Sequence, residues 1–260
     1  MENEMNENNQ NINDCFYMIK EKDENLGIIG FMEIDKKKGI IIGPVMKEKN
    51  YTYENILESI NLLRNMYKYQ DKLISFDVIK ENTRLCKVLE ENGFTLSSSH
   101  ITMKIKLYKN KPYSMKPDRI IYSATRDDKD ILIQINKLFK EVLEDWVEED
   151  IDSLYEYLEQ GYEMSYSLRD GNITGAILWI WFENLGYGRI EYIAVTKSDQ
   201  RKGYGSELLD YTLSKLSKVL KRENLNYFYL DLDTQNEKAY NLYRKKGFEY
   251  EYEDIVYRSY

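Results

Sequence analysis

Gln200-Arg201-Lys202-Gly203-Tyr204-Gly205 joins a short apolar run, Ile190-Glu191-Tyr192-Ile193-Ala194-Val195, to a segment in which Leu208, Leu209, Leu213, Leu216 and Leu220 recur at helical spacing. The stretch reads as the turn that carries a strand into an amphipathic helix. Two glycines at the mouth of a helix leave main-chain N–H groups that no side chain shields. With the helix dipole, such groups form a place for phosphate oxygens. Arg201 and Lys202 add positive charge there. The spacing excludes a Walker loop, since GxxxxGK[ST] is absent, and the GxGxxG of a dinucleotide fold is absent too. A second pair, Gly186-Tyr187-Gly188, reads as an ordinary hairpin turn.

Downstream lies Asn236-Glu237-Lys238-Ala239-Tyr240-Asn241-Leu242-Tyr243-Arg244-Lys245-Lys246-Gly247-Phe248. Strand, Gln-x-x-Gly-x-Gly, helix, strand and Asn-x-x-Ala-x-x-Leu-Tyr-x-x-x-Gly-Phe, in that order, resemble the GNAT N-acetyltransferase superfamily. The resemblance covers roughly Ile120 to Tyr260. It implies acetyl-CoA as acyl donor, with Ile193, Ala194 and Val195 beside the thioester and a strand N–H near Val195 polarising its carbonyl. Gln200, Arg201, Lys202, Gly203, Tyr204, Gly205 and Ser206 would form the pyrophosphate loop. Asn236 resembles the residue that contacts pantetheine, and Tyr243 the general acid for the departing thiolate. Plainer readings remain for both: Asn236 as a helix N-terminal residue and Tyr243 as a core tyrosine.

An amine with a reference pKa near 10.4 is neutral only about once in a few thousand at pH 7, so exposing the neutral form costs roughly 4–5 kcal/mol. A base is therefore useful. Glu191 is the first candidate: it precedes Val195 by four residues, and alternation puts it on the face of Ile193 and Val195. Asp231, twelve residues before Tyr243, where the resemblance implies that some members carry an acidic base, is the second. Either could instead be a strand carboxylate facing solvent or paired with a lysine. Both cysteines, Cys15 and Cys86, lie outside the motifs, so direct transfer is simpler than a covalent acetyl-enzyme. No cluster has metal-ligand spacing.

The chain repeats itself. Asp77-Val78-Ile79-Lys80-Glu81-Asn82 through Asn92-Gly93-Phe94 mirrors Asp231 through Phe248 at a constant offset (231 − 77 = 154). Gly43-Pro44-Val45-Met46 and the helix after it resemble the Gln200 region, but Lys49-Asn50-Tyr51-Thr52-Tyr53-Glu54-Asn55 replaces the glycine turn. The fold class expected is α/β, layered: two tandem GNAT-like domains, each a mixed, mostly antiparallel sheet flanked by helices. Residues 1–13 read as a disordered tail, 14–109 as a degenerate copy, 110–119 as a linker holding Pro112 and Pro117, and 120–260 as the catalytic domain. Expected helices are Asp127–Glu144, Asp150–Gln160, Gly203–Lys221 and Gln235–Lys246. Expected strands are Tyr162–Arg169, Ile173–Phe182, Ile190–Thr196 and Tyr227–Asp233, with edge strands from Phe248 to Arg258.

The net charge of −8 argues against nucleic-acid binding, and no apolar run is long enough to cross a bilayer. A soluble, cytoplasmic protein is expected. The second half carries the acidic excess: Glu141 to Glu163 holds ten acidic residues and neither Lys nor Arg, interleaved with Trp146, Tyr155, Tyr157 and Tyr162. Acid beside aromatic suits a cationic amine, and Trp146, Glu149 and Tyr155 are the candidate acceptor contacts. The plainer reading is a solvated acidic helix face. The leading function is an N-acetyltransferase acting on the primary amine of a small cationic molecule or peptide. The alternative is a CoA-binding regulatory or scaffold protein without turnover.

Overall fold

The computed structural model describes residues 15–21, 24–35, 38–66, 73–111, 120–144, 146–220 and 226–259. The expected tail and most of the expected linker lie outside the described residues. Two compact units emerge: Met1–Ile101 with Tyr252–Tyr260, and Thr102–Glu251.

In the first unit, β1 (Cys15–Glu21), β2 (Glu24–Asp35) and β3 (Lys38–Met46) form an antiparallel meander. A 3-10 turn (Glu48–Asn50) leads into α1 (Tyr53–Met66), whose first turn is capped by Thr52 Oγ1 accepting from Asn55 N at 3.2 Å. Then β4 (Leu73–Ile79) runs parallel to β3, and α2 (Thr83–Glu91) follows. The last strand of the chain, β11 (Glu249–Ser259), pairs antiparallel with β4 from Asp254↔Ile79 to Arg258↔Ser75. Alternation sends Ile19, Ile29, Phe31 and Ile41 inward against Ile56, Ile60, Val88 and Leu89. The opposite face of the meander carries exposed Phe16, Met18, Ile28 and Ile42.

The second unit begins near the end of β5 (Phe94–Lys106). It contains β6 (Ile121–Ser123), α3 (Lys129–Val142), α4 (Ile151–Glu159), β7 (Tyr162–Arg169), β8 (Asn172–Phe182), β9 (Tyr187–Val195), α5 (Tyr204–Val219), β10 (Tyr227–Asp233) and α6 (Glu237–Lys246). Strand order is β5-β10-β9-β8-β7-β6, with β6 to β9 antiparallel and β10 parallel to β9. The β7–β8 turn has positive φ at Asp170 (53°) and Gly171 (79°), the primed geometry that the Asp-Gly pair foreshadows. From Ile173 to Ile180, β8 is buried on both faces, with α3 and α5 packed on it. Each unit is thus the expected mixed, mostly antiparallel sheet flanked by helices.

Two local expectations are corrected. The turn before β9 is Glu183–Gly186, and Gly188 lies inside the strand. A Cβ there would sit 2.3 Å from Ile180 O, so close strand approach and not turn geometry requires that glycine. The C-terminal segment is one strand, not several. Among the described residues, no helix is long and apolar enough to cross a membrane.

Candidate active site

Parallel pairing of β9 with β10 runs from Tyr187↔Tyr227 to Ile190↔Leu230 and stops. Beyond it β9 and β10 pair no further, while Ile193, Ala194 and Val195 pair with β8 at Ile177, Ala176 and Gly175. The first residues past the fork are Glu191 on one strand and Asp231 on the other. A bulge accompanies it: Leu178 pairs with Tyr192 but Trp179 with Ile190, leaving Glu191 as the extra residue. Simple alternation, on which the sequence argument for Glu191 relied, is interrupted at that position.

The loop after Val195 is built around a residue outside the candidate set. Asp199, buried, accepts from Thr196 Oγ1 (2.9 Å), Ser198 Oγ (3.2 Å) and Lys202 Nζ (3.0 Å), and from Arg169. The Lys202 hydrogen bond, with help from Thr196 and the Arg169 charge, holds the Asp199 carboxyl down at about 2 despite burial. Lys202 is therefore already engaged with a carboxylate. Gln200 Nε2 donates to Val195 O at 3.3 Å and ties the loop to the strand end. Arg201 sits at φ 64°, a left-handed position unusual for a side-chain-bearing residue, and Gly203 at φ 97°. Gly203 is the N-cap of α5 and supplies no side-chain acceptor. By contrast Asn82, Asp150 and Asn236 cap α2, α4 and α6 with their side chains. The start of α5, including Tyr204, Gly205 and Ser206, is therefore bare of capping side chains, which is what an oxyanion group needs.

Asn236 Oδ1 accepts from Ala239 N at 3.1 Å, the helix-start role left open by the sequence. Tyr243 is buried, its ring edge-on to Phe248 at 5.7 Å between centroids. Burial pushes its phenol well above the ordinary range, and its hydroxyl makes no hydrogen bond to a described residue.

At the fork, Glu191 is half-buried, and that desolvation pushes its carboxyl up; Arg189 opposes the rise and Asp231 adds to it. Tyr157 and Tyr162 face it, their rings edge-on at 5.3 Å, and burial followed by nearby carboxylate charge pushes both phenols up. Glu149 contributes to that field at Tyr157. Asn136 fixes the Trp146–Glu149 segment, accepting from Trp146 Nε1 (2.9 Å) and Glu149 N (3.2 Å) and donating to Glu149 O (2.7 Å). Trp146 itself is buried, edge-on to Phe139 and Tyr192, and so acts as a wall behind the site. Tyr155 carries the Arg126 guanidinium over its ring at 4.8 Å. The fork thus brings together Glu191, Asp231, Tyr157 and Tyr162, and adds Arg189, which sequence reasoning missed. Only its position two residues before Glu191 hinted at it. Among the described residues no group of His, Cys, Asp or Glu is arranged to hold a metal.

The overall fold, a mixed sheet flanked by helices, is shared with solved structures. A GCN5-related N-acetyltransferase from Sphaerobacter thermophilus superimposes with TM-score 0.69 at 13% identity, covering 94% of this chain and 80% of that one. A tandem GNAT protein from the clavulanic acid biosynthesis pathway gives 0.66 at 11%, covering 95% and 83%. A GNAT-family acetyltransferase from Colwellia psychrerythraea gives 0.61 at 12%, covering 95% and 85%. Residues 132–248 match the acetyltransferase (GNAT) family. Over residues 132–248 the chain is therefore similar to the GNAT acetyltransferase family.

Proposed function

We propose that the protein is an N-acetyltransferase that moves acetyl from acetyl-CoA directly to a primary amine of a small cationic molecule or peptide. In this reading 120–260 is the catalytic domain and 14–109 a copy without the chemistry. The observation that carries it is the β9–β10 fork, which opens at the desolvated carboxylate of Glu191 on the strand that leads to the uncapped start of α5. The residues present suit the coenzyme: Gly203 leaves the helix start open, and Asp199 holds the loop in shape. When bound, acetyl-CoA would supply an activated acetyl thioester. Main-chain groups from Arg201 to Ser206 would hold its pyrophosphate, and the strand edge at Ile193 to Val195, beyond the pairing with β10, would offer donors to the carbonyl.

Glu191 receives the proton that the acceptor nitrogen gives up. Its raised pKa makes it a better match to an amine than an exposed carboxylate. Tyr243, kept protonated by burial, holds a proton at Oη for the departing sulfur. Glu149 and Glu191 give the acceptor side a negative field, and Tyr157 and Tyr162 give it ring faces, which together favour an ammonium ion. The second reading, coenzyme binding without turnover, is favoured only by the loss of site chemistry in the first unit.

The test is a panel of polyamines, aminoglycosides and lysine-bearing peptides, followed by CoA release. Turnover of cationic amines, reduced in Tyr243→Phe with acetyl-CoA affinity little changed, is the expected result. Tight coenzyme binding with no release on any amine would favour the second reading.

A further inference from the structure

Arg189 stands two residues before Glu191 on β9 and 42 residues from Asp231. The inference drawn from it rests on the acetyl-transfer reading of the same site. Arg189 Nη2 donates to Asp231 Oδ2 at 2.9 Å, and Thr102 Oγ1 donates to Asp231 Oδ1 at 2.6 Å. Both oxygens of Asp231 therefore already accept, one of them in a charge-assisted bond. Glu191 is held differently. Arg189 Nε lies 3.0 Å from Glu191 Oε1, yet its N–H is not aimed at that oxygen and is buried without an acceptor. Glu191 Oε2 accepts no hydrogen bond from a described residue. The Glu191 side chain is also the drier of the two, 21% exposed against 42% for Asp231.

We propose that Arg189 is a positioning residue that splits two neighbouring carboxylates into unlike roles: it holds Asp231 in a hydrogen-bonded ion pair and leaves Glu191 free to take the proton of the acceptor amine. A hydrogen bond to a carboxylate oxygen occupies one of its lone pairs and makes the anion a weaker base, whereas a nearby charge without one steadies the anion and leaves both lone pairs of that oxygen open. Without the guanidinium, Glu191 and Asp231 would be like charges with no cation between them, and such pairs keep a proton. The charged and titratable groups facing Glu191 are Arg189 on its own strand, Asp231 on β10, Tyr157 on α4 and Tyr162 on β7. Of these, only Arg189 favours the ionised form.

The experiment follows the Glu191 side-chain carboxyl by 13C NMR titration in the full chain, for the wild type, Arg189→Gln and Arg189→Lys, with thermal melting as the check on folding. The pH profile of kcat/KM is recorded alongside. In Arg189→Gln the Glu191 midpoint moves up by about one pH unit. The acid limb of kcat/KM moves with it, and the Kd for CoA stays the same. Arg189→Lys keeps the charge and returns the midpoint toward the wild-type value. Should Arg189→Gln fail to fold, Asp231→Asn reads the same arrangement from the other side, since removing the like charge moves the Glu191 midpoint down. A Glu191 midpoint unmoved in these variants, or turnover kept in Glu191→Gln and lost in Asp231→Asn, overturns the proposal. The NMR arm reads Arg189 even if no amine is turned over, so failure of the acetyl-transfer reading shows separately, as wild-type protein that releases no CoA.

Discussion

Two strand forks, one in each unit, differ in the residues that matter for chemistry and agree in those that hold the fold. In the first unit the β3–β4 pairing ends at Ile41↔Phe76, and the next residues are Ile42 and Asp77. In the second it ends at Ile190↔Leu230, and the next are Glu191 and Asp231. Ile42 thus stands where Glu191 does, and at the repeat offset Leu89 stands where Tyr243 does. Thr52 caps the helix after the first fork with its side chain, whereas Gly203 leaves the second bare. The scaffold is kept in both: Asn82 and Asn236 cap α2 and α6, and Gly93 (φ 83°) and Gly247 (φ 92°) turn the chain after them. The first fork still opens onto a pocket of 520 Å³, but its lining of Met46, Tyr51, Asn82 and Arg84 includes Glu48 and Glu81, which repel phosphate. Capping and turn residues serve local folding and recur wherever the fold does. The proposed base, acid and anion cradle would serve only a reaction.

The largest expected effect comes from erasing the carboxylate that separates the forks. Glu191→Gln is isosteric and should lower kcat by about 10²–10⁴-fold with acetyl-CoA binding intact; an active variant would make the two forks chemically equivalent. Next, Gly203→Glu places a side chain at φ 97° and a negative charge at the helix start. We expect calorimetry to show CoA affinity reduced by more than about tenfold, and the wild type to bind one CoA per chain. A stoichiometry of two would mean that the first unit's pocket also takes the coenzyme.

The scaffold residues should respond alike in both units. Asn236→Ala should cost about 1 kcal/mol in chemical denaturation. Asn82→Ala should cost somewhat more, because Asn82 Nδ2 also donates to Tyr51 Oη at 2.7 Å. The smallest effect concerns the loop. The Asp199 carboxyl is held near 2, below its unfolded value of about 4. Its ionised form therefore stabilises the fold above that unfolded value, and the contribution fades as pH falls toward 2. Melting temperatures of wild type and Asp199→Asn should differ at neutral pH and converge on acidification. A gap that persists at pH 2 would assign the effect to shape and not to charge.

Much of this is legible in the sequence. Leu208, Leu209, Leu213 and Leu216 mark α5 by period alone, and all are fully buried. Asp170-Gly171 announced its hairpin, and the glycines after Gln200 announced an open helix start. Trp146 was less legible: composition placed it in an acidic, aromatic stretch, and only packing shows it facing inward against Phe139 and Tyr192. Asp199 is illegible in the sequence because a carboxylate in a loop proposed to hold phosphate looks unhelpful until its four partners are seen.

Sequence by itself settled what depends on near neighbours: element order, turn chemistry, the repeat and the motif pair. Those follow from periodicity and backbone preference, which act over a few residues. Tertiary structure alone decided that Glu191 falls on a bulge, that Arg189 reaches Asp231, and that the last strand, β11, pairs with β4 of the first unit. Each of these depends on strand register between distant segments, and register is set by the packing of whole faces, which no local pattern specifies.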